Sequence, residues 1–153
     1  ISDRTWHHVV GVPCLGHPSD AFRDPDLERT YAVIQDELTL LKDTHRGTGD
    51  PRRTHYSIDG EEPIHYCAAS FWGGLSDTVL SSGSILRISD DGQFTIGTSW
   101  ERVAEIWDNQ DQHGCVHSNF LLGDLAPGET KSVRGRVRCI SGSPKDLIEL
   151  LQW

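Results

Sequence analysis

The chain has 153 residues and a net charge of −9, with 36% hydrophobic and 24% charged residues. That balance excludes a disordered chain and suffices for one buried core, while the scattered basic residues exclude the positive footprint that nucleic-acid binding needs. No apolar run approaches the roughly eighteen residues of a membrane-spanning helix.

The β-formers of WHHVVGVPC, Trp6 to Cys14, predict a first strand, and LGHPSDAFRDPD after it reads as a loop. The next stretch has two readings. Leu27, Tyr31, Ile34, Leu38 and Leu41 fall on one face of an amphipathic helix, with Asp24 as cap and Pro25 in the first turn. TYAVI and LTLL are also strand-like, with QDE as a turn between them. A helix near residues 25–43 is the expectation taken, and the hairpin is its alternative.

From there the β-signals repeat. THYSI leads through DGEEP into IHYCAASFW, whose alternation sets Ile64, Tyr66, Ala68, Ser70 and Trp72 on one face. SILRIS and FTIGTSW flank DDGQ, and Asp91-Gly92 between apolar strands is a hairpin signal. RVAEIWD and CVHSNFLL predict two more strands, and LAPGE turns the chain into TKSVRGRVRCI, where Arg134, Arg136 and Arg138 share a solvated strand face. The C-terminal SGSPKDLIELLQW is a helix capped by Ser143, with Pro144 in its first turn and Leu147, Leu150 and Leu151 as its buried stripe. The expected fold is mainly β: an antiparallel β-sandwich or jelly-roll-like domain over residues 1–153 with a short C-terminal helix. With no methionine in the chain, it reads as processed, or as a segment or subunit of a larger protein.

The four cysteines, Cys14, Cys67, Cys115 and Cys139, form no CxxC pair. Reduced, mostly buried thiols are expected of a domain this size, which favours the cytoplasm over secretion.

LAPGETKSV and DDGQFTIGTSWE resemble strand-to-strand hairpins of bacterial β-sandwich modules in carbohydrate-active proteins. The resemblance covers about the last third of the chain. It rests on turn chemistry, so it implies a sandwich fold and a saccharide setting and carries over no catalytic residue.

Two segments could hold chemistry. In DQHGCVHSNF, His113, Cys115 and His117 alternate, which in a strand puts them on one face with the outer pair about 13 Å apart. One zinc ion with bonds of about 2.0–2.3 Å cannot span that. A turn at Gly114 would have to bring His113 round, or a ligand arrive from elsewhere, so the candidate ligands of a divalent metal, zinc or manganese, are His117 with His113 or with His8 of the first strand. Cys115 beside these imidazoles is alternatively a thiolate nucleophile.

The second segment, SWERVAEIWDNQDQ, offers indoles for the C–H faces of a sugar and polar groups for its hydroxyls. Trp100, Trp107, Asp108 and Asn109 are its candidate ligand-binding residues. Glu101 and Glu105, placed by alternation on one strand face with Val103 and Trp107, are its candidate catalytic acid and base. Neither a G-x-S-x-G elbow nor a phosphate-binding glycine loop is present.

The expected function is a carbohydrate-interacting domain, a module or subunit of a sugar-processing enzyme, with a saccharide as ligand. One alternative is a metal-dependent hydrolase or lyase acting on a saccharide. The other is an assembly domain that meets a partner subunit or a second copy of itself.

Overall fold

The computed structural model describes residues 4–11, 13–15, 20–43, 64–69, 75–109 and 115–152. Among these, ten strands form two five-stranded sheets. One sheet contains β1 (Trp6–Gly11), β9 (Val116–Leu125), β8 (Val103–Asn109), β4 (Ile64–Ala69) and β5 (Leu75–Leu80), in that order across it. The second contains β10 (Gly135–Ile140), β7 (Thr95–Trp100), β6 (Ile85–Ile88), β2 (Thr30–Ile34) and β3 (Glu37–Leu40). Pairing is antiparallel throughout except between β4 and β8, which run parallel. The fold is mainly β, as the strand-and-turn pattern predicts.

Both sheets supply one apolar core. Ala32 and Ile85 from the second sheet meet Leu80, Val103, Ile106 and Val116 from the first, with Leu27 and Leu41 closing its margin. The helix α1 (Pro144–Leu151) packs against the second sheet by setting Leu147 and Leu151 on Leu86, with Tyr31, Leu38 and Ile140 around them. Its start is as the sequence predicts: the Ser143 side chain accepts the Asp146 N–H, and the Asp146 carboxylate accepts the Ser143 N–H.

The expected helix at 25–43 is a hairpin of β2 and β3. Gln35 and Asp36 form its two-residue turn with φ of 51° and 64°, the left-handed pair that a type I′ connection requires. The helical stripe competes here with β-branched and aromatic residues that pair across two strands, and tertiary pairing of β2 with β6 decides it. Asp24 caps no helix. It accepts the N–H groups of Glu28 and Arg29 and the hydroxyl of Thr30, holding a loop in which Leu27 has φ of 57°. The buried Arg87 donates in turn to the Thr30 hydroxyl at 2.7 Å and to the Phe22 carbonyl, which locks this loop onto β6.

The hairpin of β6 and β7 turns at Gly92, with φ of 72°, and LAPGE turns at Gly128 with φ of 79°. The expected strand THYSI and the segment from Ser70 to Gly74 lie outside the described residues. No described helix is long and apolar enough to cross a membrane.

Two glycines on edge strands are covered by aromatic rings. Gly11 of β1 faces Phe120 of β9, and a Cβ there would stand 1.9 Å from the ring; Gly135 of β10 faces Trp100 of β7, with 2.1 Å to its six-membered ring. The Phe120 and Trp100 rings meet at 4.5 Å between centroids, so one aromatic chain ties β1 to β10 across the two sheets. Gly135→Ala is expected to lose about 1–3 kcal/mol, because the added methyl must displace a packed indole. Urea denaturation checks this, and an unchanged midpoint would show that the indole is not confined there.

Candidate metal centre

The centre begins with backbone pairing. Leu15 and Val116 exchange both N–H···O bonds, each 3.0 Å, in an isolated antiparallel bridge that resumes the register in which Gly11 faces Phe120. The next pair along that ladder is Cys14 opposite His117. Alternation then divides β9. Val116 lies in the core with Leu15 packed on it, and the Ser118 hydroxyl bonds the Gly83 carbonyl. Cys115, His117 and Asn119 take the other face.

That face gathers Cys14, Cys115 and His117, with one donor atom from each lying within 4.8 Å of the others. Cys115 is 3% exposed and His117 is 9% exposed, whereas Cys14 is exposed. Cys115 Sγ stands 3.1 Å from His117 Nε2, and His117 Nδ1 stands 2.9 Å from the carbonyl oxygen of Pro13. A carbonyl only accepts, so Nδ1 carries the proton and donates. Nε2 therefore presents its lone pair to the two sulfurs, the arrangement that a carbonyl behind a metal-bound histidine produces. Burial holds the His117 imidazole below its usual 6.5, with the Pro13 carbonyl pulling the other way. The ring thus resists protonation, which a ligand nitrogen must do.

A tetrahedral ion bonded at about 2.3 Å to sulfur and 2.0–2.1 Å to nitrogen needs donors about 3.5–3.8 Å apart. The 3.1 Å pair opens by a few tenths of an ångström to meet that, and no pair needs to close by more than about 1.3 Å. Without an ion, the same geometry is a Cys115 S–H donated to Nε2.

Of the ligands expected from the sequence, His117 is in the centre. His113 lies outside the described residues, and for His8 the structure describes the backbone alone. The sulfur of Cys14 stands in the place where a second histidine was expected. Cys14, Cys115 and Cys139 form no disulfide, in line with reduced thiols, but Cys14 and Cys139 are exposed rather than buried. Cys115 and His117 are visible in sequence as alternating residues. Cys14 carries no signal, because its place depends on a strand pairing about a hundred residues away.

The candidate acid and base do not share a face. Glu101 sits in the exposed turn between β7 and β8, where Arg134 takes both its oxygens: Nε donates to Oε1 at 2.7 Å and the backbone N–H to Oε2 at 3.0 Å. These contacts hold its carboxyl below the usual range. A register shift between Val103 and Glu105 breaks the expected alternation, and Glu105 is 2% exposed. Its Oε1 accepts from Asn119 Nδ2 at 3.1 Å and the Trp107 indole N–H faces the same carboxyl, while Asn119 Oδ1 is buried without a hydrogen-bond partner among the described residues. The cross-strand register puts Glu105 opposite Asn119 and Trp107 opposite His117, so this polar row adjoins the sulfur–imidazole group.

Trp100 lies against Gly135 and Phe120 and lines a cleft of about 890 Å3, together with Glu101, Asp36, Glu149 and the serines Ser81 and Ser82. For Asp108 and Asn109 the structure describes the backbone of β8 alone. The chain matches no protein-family model, no curated protein and no solved structure.

Burial raises the Glu105 carboxyl above 4.5, partly offset by Trp107 and Asn119. A carboxyl that ionises less readily in the fold than in the unfolded chain costs stability as pH rises from its unfolded value, until the folded group ionises too. Glu105→Gln is therefore expected to be more stable than the parent, with a gain that grows as pH rises above 4.5 until the folded carboxyl ionises. Paired urea titrations across that range measure it. A gain that shrinks with rising pH would mean that the fold holds a carboxylate there.

Proposed function

We propose that this chain binds a thiophilic divalent ion through Cys14 Sγ, Cys115 Sγ and His117 Nε2, and that it uses the ion's fourth position as a Lewis-acid site. The observation that carries this reading is the fixed His117 tautomer, with Nδ1–H on the Pro13 carbonyl and Nε2 aimed at sulfur. Two thiolates and an imidazole suit zinc and disfavour manganese, which prefers oxygen donors. Three protein ligands with one open position are the catalytic zinc pattern, whereas structural sites close with four. Among the described residues no fourth donor joins the three. Cys14 is the exposed member of the three. An ion there would lower the pKa of bound water or polarise a carbonyl, the chemistry of a metal-dependent hydrolase or lyase.

Protein purified under reduction and without chelators is expected to carry about one zinc per chain by elemental mass spectrometry. Cobalt substituted for zinc should show sulfur-to-cobalt charge transfer. Cys115→Ser and His117→Ala, both folded by circular dichroism, should lose that band. A folded parent protein that takes up neither ion would remove the reading.

A second reading is a saccharide ligand in the cleft by Trp100 and Glu101. The hydroxyls of Ser81 and Ser82 and the carboxylates of Asp36 and Glu149 on its walls favour it, since they suit the hydroxyls of a sugar. Glycan titrations followed by tryptophan fluorescence are expected to give a saturable change that Glu149→Ala weakens. A broad glycan panel without any response would set this reading aside.

A further inference from the structure

The cleft beside Trp100 and Glu101 has a floor and a rim of different chemistry. Ser99 of β7 lies on the face of the second sheet that carries α1, since a Cβ on Gly97, two residues back, would stand 3.0 Å from Leu147 and Leu151. Ser84 directly precedes β6, and the register that pairs Ile85 with Thr98 sets Ser84 beside Ser99. Both serines line the cleft, and they are 3% and 4% exposed. The Ser84 N–H goes to Ser82 Oγ at 3.0 Å, and neither the Ser84 nor the Ser99 hydroxyl has a hydrogen-bond partner among the described residues. Arg136, opposite Ser99, is spent on the Leu150 and Gln152 carbonyls at the end of α1. Neither serine oxygen is among the unpaired atoms sealed from solvent, so each opens into the cleft. Buried hydroxyls normally find a partner, and these two offer two donors and free lone pairs to whatever enters.

The rim is acidic. Asp36 and Glu37 come from the hairpin of β2 and β3 and Glu149 from the exposed side of α1, and none of the three makes an ion pair among the described residues. Glu101 is taken by Arg134, and Lys145 is the one cation among the lining residues. Val33, Leu38 and Ile148 supply apolar surface beside them.

These three features select a ligand. An anion would meet like charge on the rim. A plain amine would satisfy the rim and leave the serine donors without an acceptor. A neutral sugar would satisfy the serines and leave the carboxylates to water. An amino sugar carries ammonium groups, hydroxyls and apolar C–H faces on one ring, and it answers rim, floor and apolar wall together. The cleft volume of about 890 Å3 lies within the range of small-ligand sites, about 300–1,000 Å3.

We propose that this cleft binds a cationic amino sugar, with its hydroxyls on Ser84 and Ser99 and its ammonium groups toward Asp36, Glu37 and Glu149. The proposal rests on the saccharide reading of the cleft and adds the charge of the ligand to it.

The probes are the β-1,4-linked trisaccharides of glucosamine, glucose and glucuronic acid, with spermidine as an amine that has no ring. Calorimetric titration in mildly acidic buffer, where the amines are charged, reads each Kd. Exposed charge pairs are weak one by one, so the glucosamine trisaccharide is expected to bind about tenfold more tightly than the glucose one. Spermidine and the glucuronic acid trisaccharide should bind at least about tenfold more weakly than the glucosamine trisaccharide. Asp36→Asn combined with Glu149→Gln should bring the glucosamine and glucose trisaccharides within about threefold of one another. Ser99→Ala removes a hydroxyl that bonds nothing in the fold, so it should keep its unfolding midpoint and weaken both sugars about fivefold or more. Equal binding of the glucose and glucosamine trisaccharides would overturn the proposal while the saccharide reading stands. Binding of none of the trisaccharides would overturn both. Spermidine binding as tightly as the glucosamine trisaccharide would overturn it in favour of a plain amine site, and a preference that the double carboxylate variant leaves intact would overturn the placing of the ammonium groups.

Discussion

The double hydrogen bond between Leu15 and Val116 is the constraint on which the chemistry of this chain depends. Alternation makes a strand pair an all-or-none device: a slip of one residue exchanges its two faces. With the register as it stands, Leu15 and Val116 seal the core while Cys14, Cys115 and His117 converge on the opposite face. Packing of the core and assembly of the centre are thus one event. Val116 is 1% exposed in the core cluster, so its burial holds the register that aims the two neighbouring side chains.

Buried polar groups are satisfied in most places on both sides of that division, with a few exceptions. On the core side the Ser118 hydroxyl has its carbonyl, and in the loop before β2 the Arg87, Thr30 and Asp24 side chains satisfy one another. Thr98 Oγ1 and Trp100 Nε1 of β7, and Asn119 Oδ1 on the other face of the first sheet, have no hydrogen-bond partner under cover among the described residues. Such atoms cost about 1–3 kcal/mol each when they stay unpaired. Proteins keep costs of this kind at functional sites and offset them elsewhere. Here the offset includes the aromatic packing of Phe120 and Trp100 over Gly11 and Gly135 at the far end of the sheets.

Much of the fold was legible locally. Asp91-Gly92 between two apolar strands, Gly128 in LAPGE and the Ser143–Asp146 box each act over a few residues, and each formed where the sequence put it. Residues 25–43 misled because the apolar spacing of Leu27, Tyr31, Ile34, Leu38 and Leu41 serves a helix, and the two-strand alternative prevails only through pairing with β6, more than fifty residues on. The site shows the same split. Cys115 and His117 are neighbours in alternation and could be read together. Cys14 reaches them through a ladder no local pattern encodes, and the register shift before Glu105 separates it from Glu101 although both looked equivalent on an ideal strand. What sequence hides here is long-range register.

The measurement that bears most directly on the account is X-ray absorption at the zinc edge on reduced, zinc-loaded protein. The account requires two sulfur scatterers at about 2.3 Å and nitrogen or oxygen at about 2.0–2.1 Å, with one sulfur lost in Cys14→Ser. A shell of nitrogen and oxygen alone, or one that Cys14→Ser leaves unchanged, would contradict the assignment of Cys14, Cys115 and His117 as the ligands.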